Sequence, residues 1–452
     1  MSDTAFGRLL SDSGLTPEEF ARQLTEYAGS HGRRNRLHPK TPYKWRRGER
    51  PGRPWPTLTA LLLSDLLGRT VTVADLGWPE DNSSAAPAST GLILPWTVAG
   101  ALQAIQAVNE GGTMRRAFMT LLGSAMTVSG NEWLVAGPAE PPATTHGFRL
   151  TIEVVDHLDA ITADLRRMDD HLGGGQTLGL VRNHLSTVTT LLTQRRYTDT
   201  VGRRLHSSAA EILRLAGWLA FDAGHHPHAQ RYWVAALHEA HAAGDRALGA
   251  NILGFMSCQA KDLGQVRQAV TLAETACAGY PAASPKVTAI LHLRAAEAHA
   301  NEQSITDTRR AIDVAFNALG NITTGGGDPD WTYWLDEAQA HAMVGYSYLK
   351  LADWSAARSH LKAARRIQDG DCTREGALRN ALLAQTYARQ DGPDIDKAVA
   401  MGDQAVAALS GQVRSARCVK HVRALADDLR RYRSHPNVAR FHNDTRELIH
   451  TA

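Results

Sequence analysis

Residues 38–50 read HPKTPYKWRRGER, inside a stretch from His31 to Arg53 that holds nine Lys or Arg and a single acid, Glu49. The nine are Arg33, Arg34, Arg36, Lys40, Lys44, Arg46, Arg47, Arg50 and Arg53. Cations at this density neutralise phosphates and release the counterions condensed on them, which makes binding strong and salt-dependent. Nine bases against one acid put this stretch at +8, whereas the whole chain (49 basic, 46 acidic) is only +3, so everything else carries −5. The basic character is therefore local, as a nucleic-acid contact surface requires. Taken alone, a run of charge is more often a solvated face, and its neighbours have to decide.

Other candidate chemistry is weaker. GHHPH (224–228) and HEAH (238–241) raise a metal question, but the second is one residue short of the HExxH spacing that brings two imidazoles to one helical face. The glycine-rich HLGGGQTLG (171–179) and TTGGGDPD (323–330) do not continue into Gly-Lys-Ser/Thr, so neither is a phosphate loop. Cys258, Cys277, Cys372 and Cys418 lie far apart without a CxxC pair, which fits a reducing compartment. No Ser/His/Asp or Cys/His grouping stands out. The expectation is a protein that is not an enzyme and calls for no metal or cofactor.

The basic stretch needs a scaffold, and the flanking residues supply one. In LTPEEFARQL, Thr16 is placed to cap a helix, Pro17 suits its first position and Glu19 completes a capping box. A second start follows at His38-Pro39-Lys40-Thr41-Pro42, and Gly48 ends that short helix with Trp45 turned inward. Two helices around a connection make a helix-turn-helix, the second sized for the major groove. The connection YAGSHGRRNRL is long for the motif. Lys40, Tyr43, Lys44 and Arg47 are expected nearest the groove, and Thr41 is a further candidate DNA contact. Arg33, Arg34, Arg36, Arg46, Arg50 and Arg53 are expected mainly on phosphates.

Apolar residues recur at helical spacing throughout, as at Leu58, Leu61, Leu62 and Leu66 or Leu205, Ile212, Leu213 and Leu219, and strand signals are almost absent. PEDNSSAAPASTG (79–91) and GPAEPPATTHG (137–147) read as linkers, leaving a domain at 1–78, a bridging helical segment at 92–136 and a long region at 148–452. That last region repeats itself. Gly345, Tyr348, Ala357, Leu361 and Ala364 stand at separations of 3, 9, 4 and 3, and so do Gly217, Ala220, Ala229, Trp233 and Ala236, and Ser257, Ala260, Ala269, Ala273 and Ala276. A copy at Ala384, Tyr387, Ala398, Gly402 and Ala405 needs two extra residues after QDGPD, and one near 290–320 is degenerate. Helical pairs at either end would cap such an array.

These spacings resemble the tetratricopeptide repeat, in which small residues let paired antiparallel helices approach. WRRGERP resembles the tail of the recognition helix in Xre/Cro-like regulators, LTPEEFARQL their first helix, and SDLLGRTVTVADLGW (64–78) the close of the domain in actinobacterial members with tetratricopeptide repeats behind it. The resemblance implies an all-α chain, a helix-turn-helix domain followed by a repeat α-solenoid at 148–452, acting as a regulator of development or antibiotic production.

The partners then expected are double-stranded DNA, a second copy of the chain, and a peptide, small-molecule or protein effector. Trp218, Trp233, Trp331, Trp334 and Tyr348 are candidate effector contacts, although aromatics at such positions more often pack between helices. The rival expectation is a repeat scaffold whose helix-turn-helix binds only protein. No apolar run of 18 or more residues occurs and no N-terminal leader is evident, so the protein is expected to be cytoplasmic and without a membrane partner. TMRRAFMTLLGSAM (113–126) resembles a twin-arginine signal at Arg115 and Arg116, but its internal position favours a bridging or dimer-forming helix.

Overall fold

The computed structural model describes residues 4–30, 37–49, 51, 55–67, 71, 75–78, 94–110, 123–139, 150–172, 174–280, 282–322, 327–367, 373–410 and 415–451. Among these the chain is all-α, with no β-strand. Its contacts group it into two units, Met1–Ser89 with Thr120–Ala125, and Thr90–Met119 with Met126–Ala452. No helix of the described residues is long and apolar enough to cross a membrane.

The first unit contains α1 (Ala5–Asp12), α2 (Pro17–Ser30), α3 (Thr41–Arg46) and α4 (Trp55–Leu67). Helix α2 starts through a reciprocal cap: Glu19 N–H donates to Thr16 Oγ1 at 3.3 Å, and Thr16 N–H donates to Glu19 Oε2 at 2.9 Å. The Thr16 hydroxyl also donates to Glu19 Oε2 at 2.7 Å, and this bond, with that from the Thr16 N–H, holds the Glu19 carboxyl below its ordinary range. Pro42 sits in the first turn of α3, where its missing N–H costs nothing. The left-handed backbone of Gly48 (φ 96°) follows the end of that helix. The core between these helices is aromatic. Phe6 stands edge-on to Phe20 and Trp45 (both 5.7 Å) and stacks on Trp78 at 5.3 Å.

The second unit opens with α5 (Val98–Glu110) and α6 (Gly123–Val135), the latter belonging to it from Met126 on. Then come α7 (Ile152–Leu172) and α8 (Gly174–Gln194), followed by the helical pairs. These are α9 (Asp199–Asp222) with α10 (His226–Ala243), α11 (Arg246–Asp262) with α12 (Val266–Ala278), and α13 (Pro285–Asn301) with α14 (Ile305–Gly320). After them come α15 (Glu337–Lys350) with α16 (Trp354–Ile367), α17 (Thr373–Arg389) with α18 (Ile395–Leu409), and α19 (Ala416–Leu429) with α20 (Pro436–Thr451). Each first helix packs on its own partner and on the first helix of the next pair, while α10, α12, α16 and α18 also pack against the following first helix. The first helices therefore form one continuous inner layer, as in a tetratricopeptide-like solenoid.

Small residues set the spacing within each pair. A Cβ on Gly217 would lie 2.3 Å from Trp233 Nε1, and one on Gly345 would lie 2.6 Å from Leu361 Cγ. Turns of three residues join the helices of four pairs, and the middle residue of each is left-handed: Gly224, Gly264, Gln303 and Ala352. Gln303 compensates for its strained backbone by donating from Nε2 to the carbonyls of Ala300 (3.1 Å) and Lys350 (3.0 Å). The turn between α17 and α18 is two residues longer, at the QDGPD insertion.

Helices α5 and α6 pack onto the repeats. α5 lies against α8 and α10. On α6, Trp133 is fully buried against Gly249 and Gly279, with the Arg246 guanidinium 4.6 Å over its ring. Arg115 and Arg116 lie outside the described residues.

Candidate functional site

In the first unit, α3 is fixed by Trp45, which is 2% exposed beneath Phe6 and Trp78, and by buried Pro42. With these two turned inward, Lys40, Tyr43, Lys44 and Arg47 are the exposed positions, while Thr41 and Arg46 are half-buried. Lys40, Lys44 and Arg47 are four and three residues apart, so they follow one side of the helix. The Tyr43 hydroxyl donates to both oxygens of Glu18 (2.9 and 3.0 Å), and that bond raises its pKa. Tyr43 is thereby oriented from α2 while keeping 39% of its surface open. Arg33, Arg34, Arg36, Arg50 and Arg53 lie outside the described residues.

In the second unit the effector candidates do not converge on one spot. Trp233 is fully buried under Gly217, its Nε1–H donating to the Arg214 carbonyl at 3.2 Å. Tyr348 stacks on His360 at 5.7 Å, and Trp331 is 6% exposed in a short 3-10 turn. Trp218 and Trp334 reach the inner layer: Arg417 stands 5.1 Å over Trp218, and Arg294 stands 5.6 Å over Trp334. The histidine clusters serve packing. His238 stacks on Trp96 at 4.1 Å with His241 edge-on at 5.4 Å, and Glu239 meets His206 Nδ1 at 2.6 Å. Among the described residues no group of three or more His, Cys, Asp or Glu is arranged to hold a metal.

What the sequence did not announce is the inner layer's charge. Asp222, at the end of α9, is fully buried and accepts from Ser415 Oγ (2.8 Å) and Arg417 Nε (3.2 Å) on α19. Arg374 on α17 clasps Asp169 of α7 with both nitrogens (3.1 and 3.2 Å) and stands 3.6 Å from Asp222. Burial works against the Arg374 charge, but Asp222, Asp169 and Glu375 more than offset it and hold the group protonated. Thus α19 and α17 close back on α9 and α7, although about 200 residues separate them in sequence. Nearby, a cavity of about 100 Å³ is lined by Lys261, Tyr346, Lys350, Arg389, Lys420 and His421, among others. Lys261, Lys350 and Arg389 stand in the last turns of α11, α15 and α17, where cations offset the negative ends of the helices. Buried arginines inside Leu/Ala-rich helices, as in EILRLAGW and ILHLRAAE, were the available signal.

Residues 6–79 match the model of the SP15 N-terminal domain. Among solved structures, a chain in the crystal structure of the APC/C hetero-tetramer Cut9-Hcn1 is similar at 13% identity and a TM-score of 0.34, over 93% of this chain and 69% of that one. No curated protein matches the chain.

Proposed function

We propose that the protein is a DNA-binding transcription regulator whose repeat domain binds an effector and pairs two copies of the chain. The observation that carries the reading is the exposed side of α3: Lys40, Tyr43, Lys44 and Arg47 face solvent on a helix seated by a buried tryptophan. A cationic edge on a rigidly held helix is what phosphate and base contacts need. One short helix reads few base pairs, and two-fold pairing doubles the site. The repeat layer presents side chains on rigid helices, suited to a peptide or protein partner or a small effector. The role in development or secondary metabolism follows the Xre/Cro-like resemblance alone. The protein binds rather than catalyses.

Six of the nine basic residues on phosphates would give log affinity a slope near −5 against log salt. Titration of the purified protein with its own promoter region over a range of salt tests this, and flat, salt-independent behaviour refutes it. A second reading rests on the length of α3, which at six residues is little more than one and a half turns. On that reading the first unit binds protein only, and Lys44→Ala/Arg47→Ala leaves partner capture unchanged.

A further inference from the structure

The inner arginines of the repeats are matched by acids. Arg166 meets Glu211 and Asp330, Arg294 meets Glu297 at 3.1 Å, Arg374 meets Asp169, and Arg417 meets Asp222. Arg214, in the middle of α9, is different. It is 4% exposed, its Nε is sealed from solvent without an acceptor, and among the described residues no carboxylate or carbonyl meets its guanidinium. The acids around it are committed elsewhere: Glu211, three residues earlier on the same helix, faces Arg166, and Asp169 is clasped by Arg374. Burial pushes the Arg214 pKa down to about 10, and the charge of Arg166 adds to the fall.

What Arg214 does touch is the Phe255 ring, 5.3 Å from its guanidinium, and that ring is shared with Arg294 at 5.5 Å. Arg294 in turn lies over Trp334, whose indole Nε1–H is also sealed without an acceptor. An aromatic face offers a guanidinium partial compensation, least when a second cation draws on the same ring. Buried donors without acceptors are uncommon in folded proteins and costly to keep. Arg214 is thus a buried cation whose described neighbour is an aromatic ring rather than an acid.

We propose that Arg214 anchors a ligand carboxylate, with Phe255 as an apolar wall. A guanidinium fork matches the two oxygens of a carboxylate. The aromatic wall suits a flat apolar group next to it. Two sources carry that chemistry: a small aromatic acid, and the C-terminal carboxylate of a peptide ending in an aromatic residue. The proposal deepens the effector reading given above and rests on it for its meaning in the cell, but binding here is measured without DNA.

The test uses the full chain with three probes: benzoate, acetyl-Ala-Ala-Phe with a free carboxylate, and the same peptide as its C-terminal amide. Benzoate or the peptide acid is expected to change tryptophan fluorescence and raise the melting midpoint, and the amide is not. Benzoate alone acting assigns the site to small acids, and the peptide acid alone acting assigns it to a chain terminus. Arg214→Met should weaken binding roughly ten-fold or more, the scale of losing one charge-assisted pair. Without ligand it should melt no lower than wild type, because an apolar side chain suits that setting better than an unmatched charge. Arg214→Lys, which keeps the charge but not the fork, should weaken binding in part. Salt-dependent DNA binding by Arg214→Met should match wild type, so the DNA reading and this one fail separately. No response to any acid, or wild-type affinity in Arg214→Met, overturns the proposal.

Discussion

Gly217→Ala is expected to destabilise the repeat domain by about 2–3 kcal/mol, and the cost can be assembled from three parts. The new Cβ would fall 2.3 Å from Nε1, 2.5 Å from Cδ1 and 2.8 Å from Cε2 of Trp233. That indole is fully buried, with Phe221 at 5.9 Å and Phe255 at 6.1 Å, so it has nowhere to swing. Overpacking of this kind costs about 1–3 kcal/mol. Displacing the ring also strains the Nε1–H bond to the Arg214 carbonyl, and a buried donor left unpaired costs about 1–3 kcal/mol. Against these stands the better helix propensity of alanine, worth about 1 kcal/mol. Urea denaturation followed by circular dichroism reads the effect; at a slope of about 2 kcal/mol per molar, the midpoint should fall by about 1 M. The double variant Gly217→Ala/Trp233→Phe should lose less than the two single variants summed, since the smaller ring removes both the clash and the orphaned donor. An unchanged midpoint in Gly217→Ala would mean that the glycine is not what lets α9 and α10 approach.

Ser257 occupies the Gly217 position of the next pair and donates to the Ala269 carbonyl at 2.7 Å, so Ser257→Ala should cost only about 1 kcal/mol in the same assay. Asp222→Asn leaves Arg417 and Arg374 without their shared anion, and a loss of about 3–5 kcal/mol is expected by urea titration; a loss under about 1 kcal/mol would show that the inner charges are dispensable. Burial pushes the His421 pKa down to about 3, below the ~6.5 of an unfolded histidine, so the unfolded chain takes up the proton first. The stability this group contributes is complete above about pH 6.5 and declines toward pH 3 by at most about 1.4 kcal/mol per pH unit; His421→Gln should flatten the dependence between pH 6.5 and 5, and parallel curves would refute it. Arg50→Ala/Arg53→Ala, which removes two of the expected phosphate contacts, should reduce the salt slope of DNA binding by about 2, read by titration at several salt concentrations.

The repeats were legible because their packing rule is written in residue size. Gly217, Ser257 and Gly345 stand at one register, seven residues before the left-handed turn residues Gly224, Gly264 and Ala352. The copy near 290–320 was obscured for a physical reason. It keeps the same register at Ala296, His299, Thr308, Ile312 and Ala315, but polar His299 and Thr308 stand where the others have small or apolar residues. Thr308 is tolerated because its hydroxyl donates to the Ser304 carbonyl at 2.7 Å. The inward Trp45 and the Thr16–Glu19 cap were readable from local rules alone. The inner charge network was not, since the pairing of Asp169 with Arg374 spans 205 residues and no periodicity reports it. The aromatic candidates scattered for a related reason: helical phase decides whether a tryptophan faces the layer, as Trp218 does, or its partner helix, as Trp233 does.

The clasp of Ser415 and Arg417 on Asp222 gives the repeat domain an order of assembly. An array held only by nearest neighbours can consolidate pair by pair as the chain leaves the ribosome. Here Asp222 is buried beneath groups that are made nearly 200 residues later, so the first pair emerges with an unmatched carboxylate and stays solvated around it. Only when α19 has emerged does the inner layer acquire its last counterions. Closure across that distance ties the fate of the earliest helices to the latest, and slows the final step in the way distant contacts generally do.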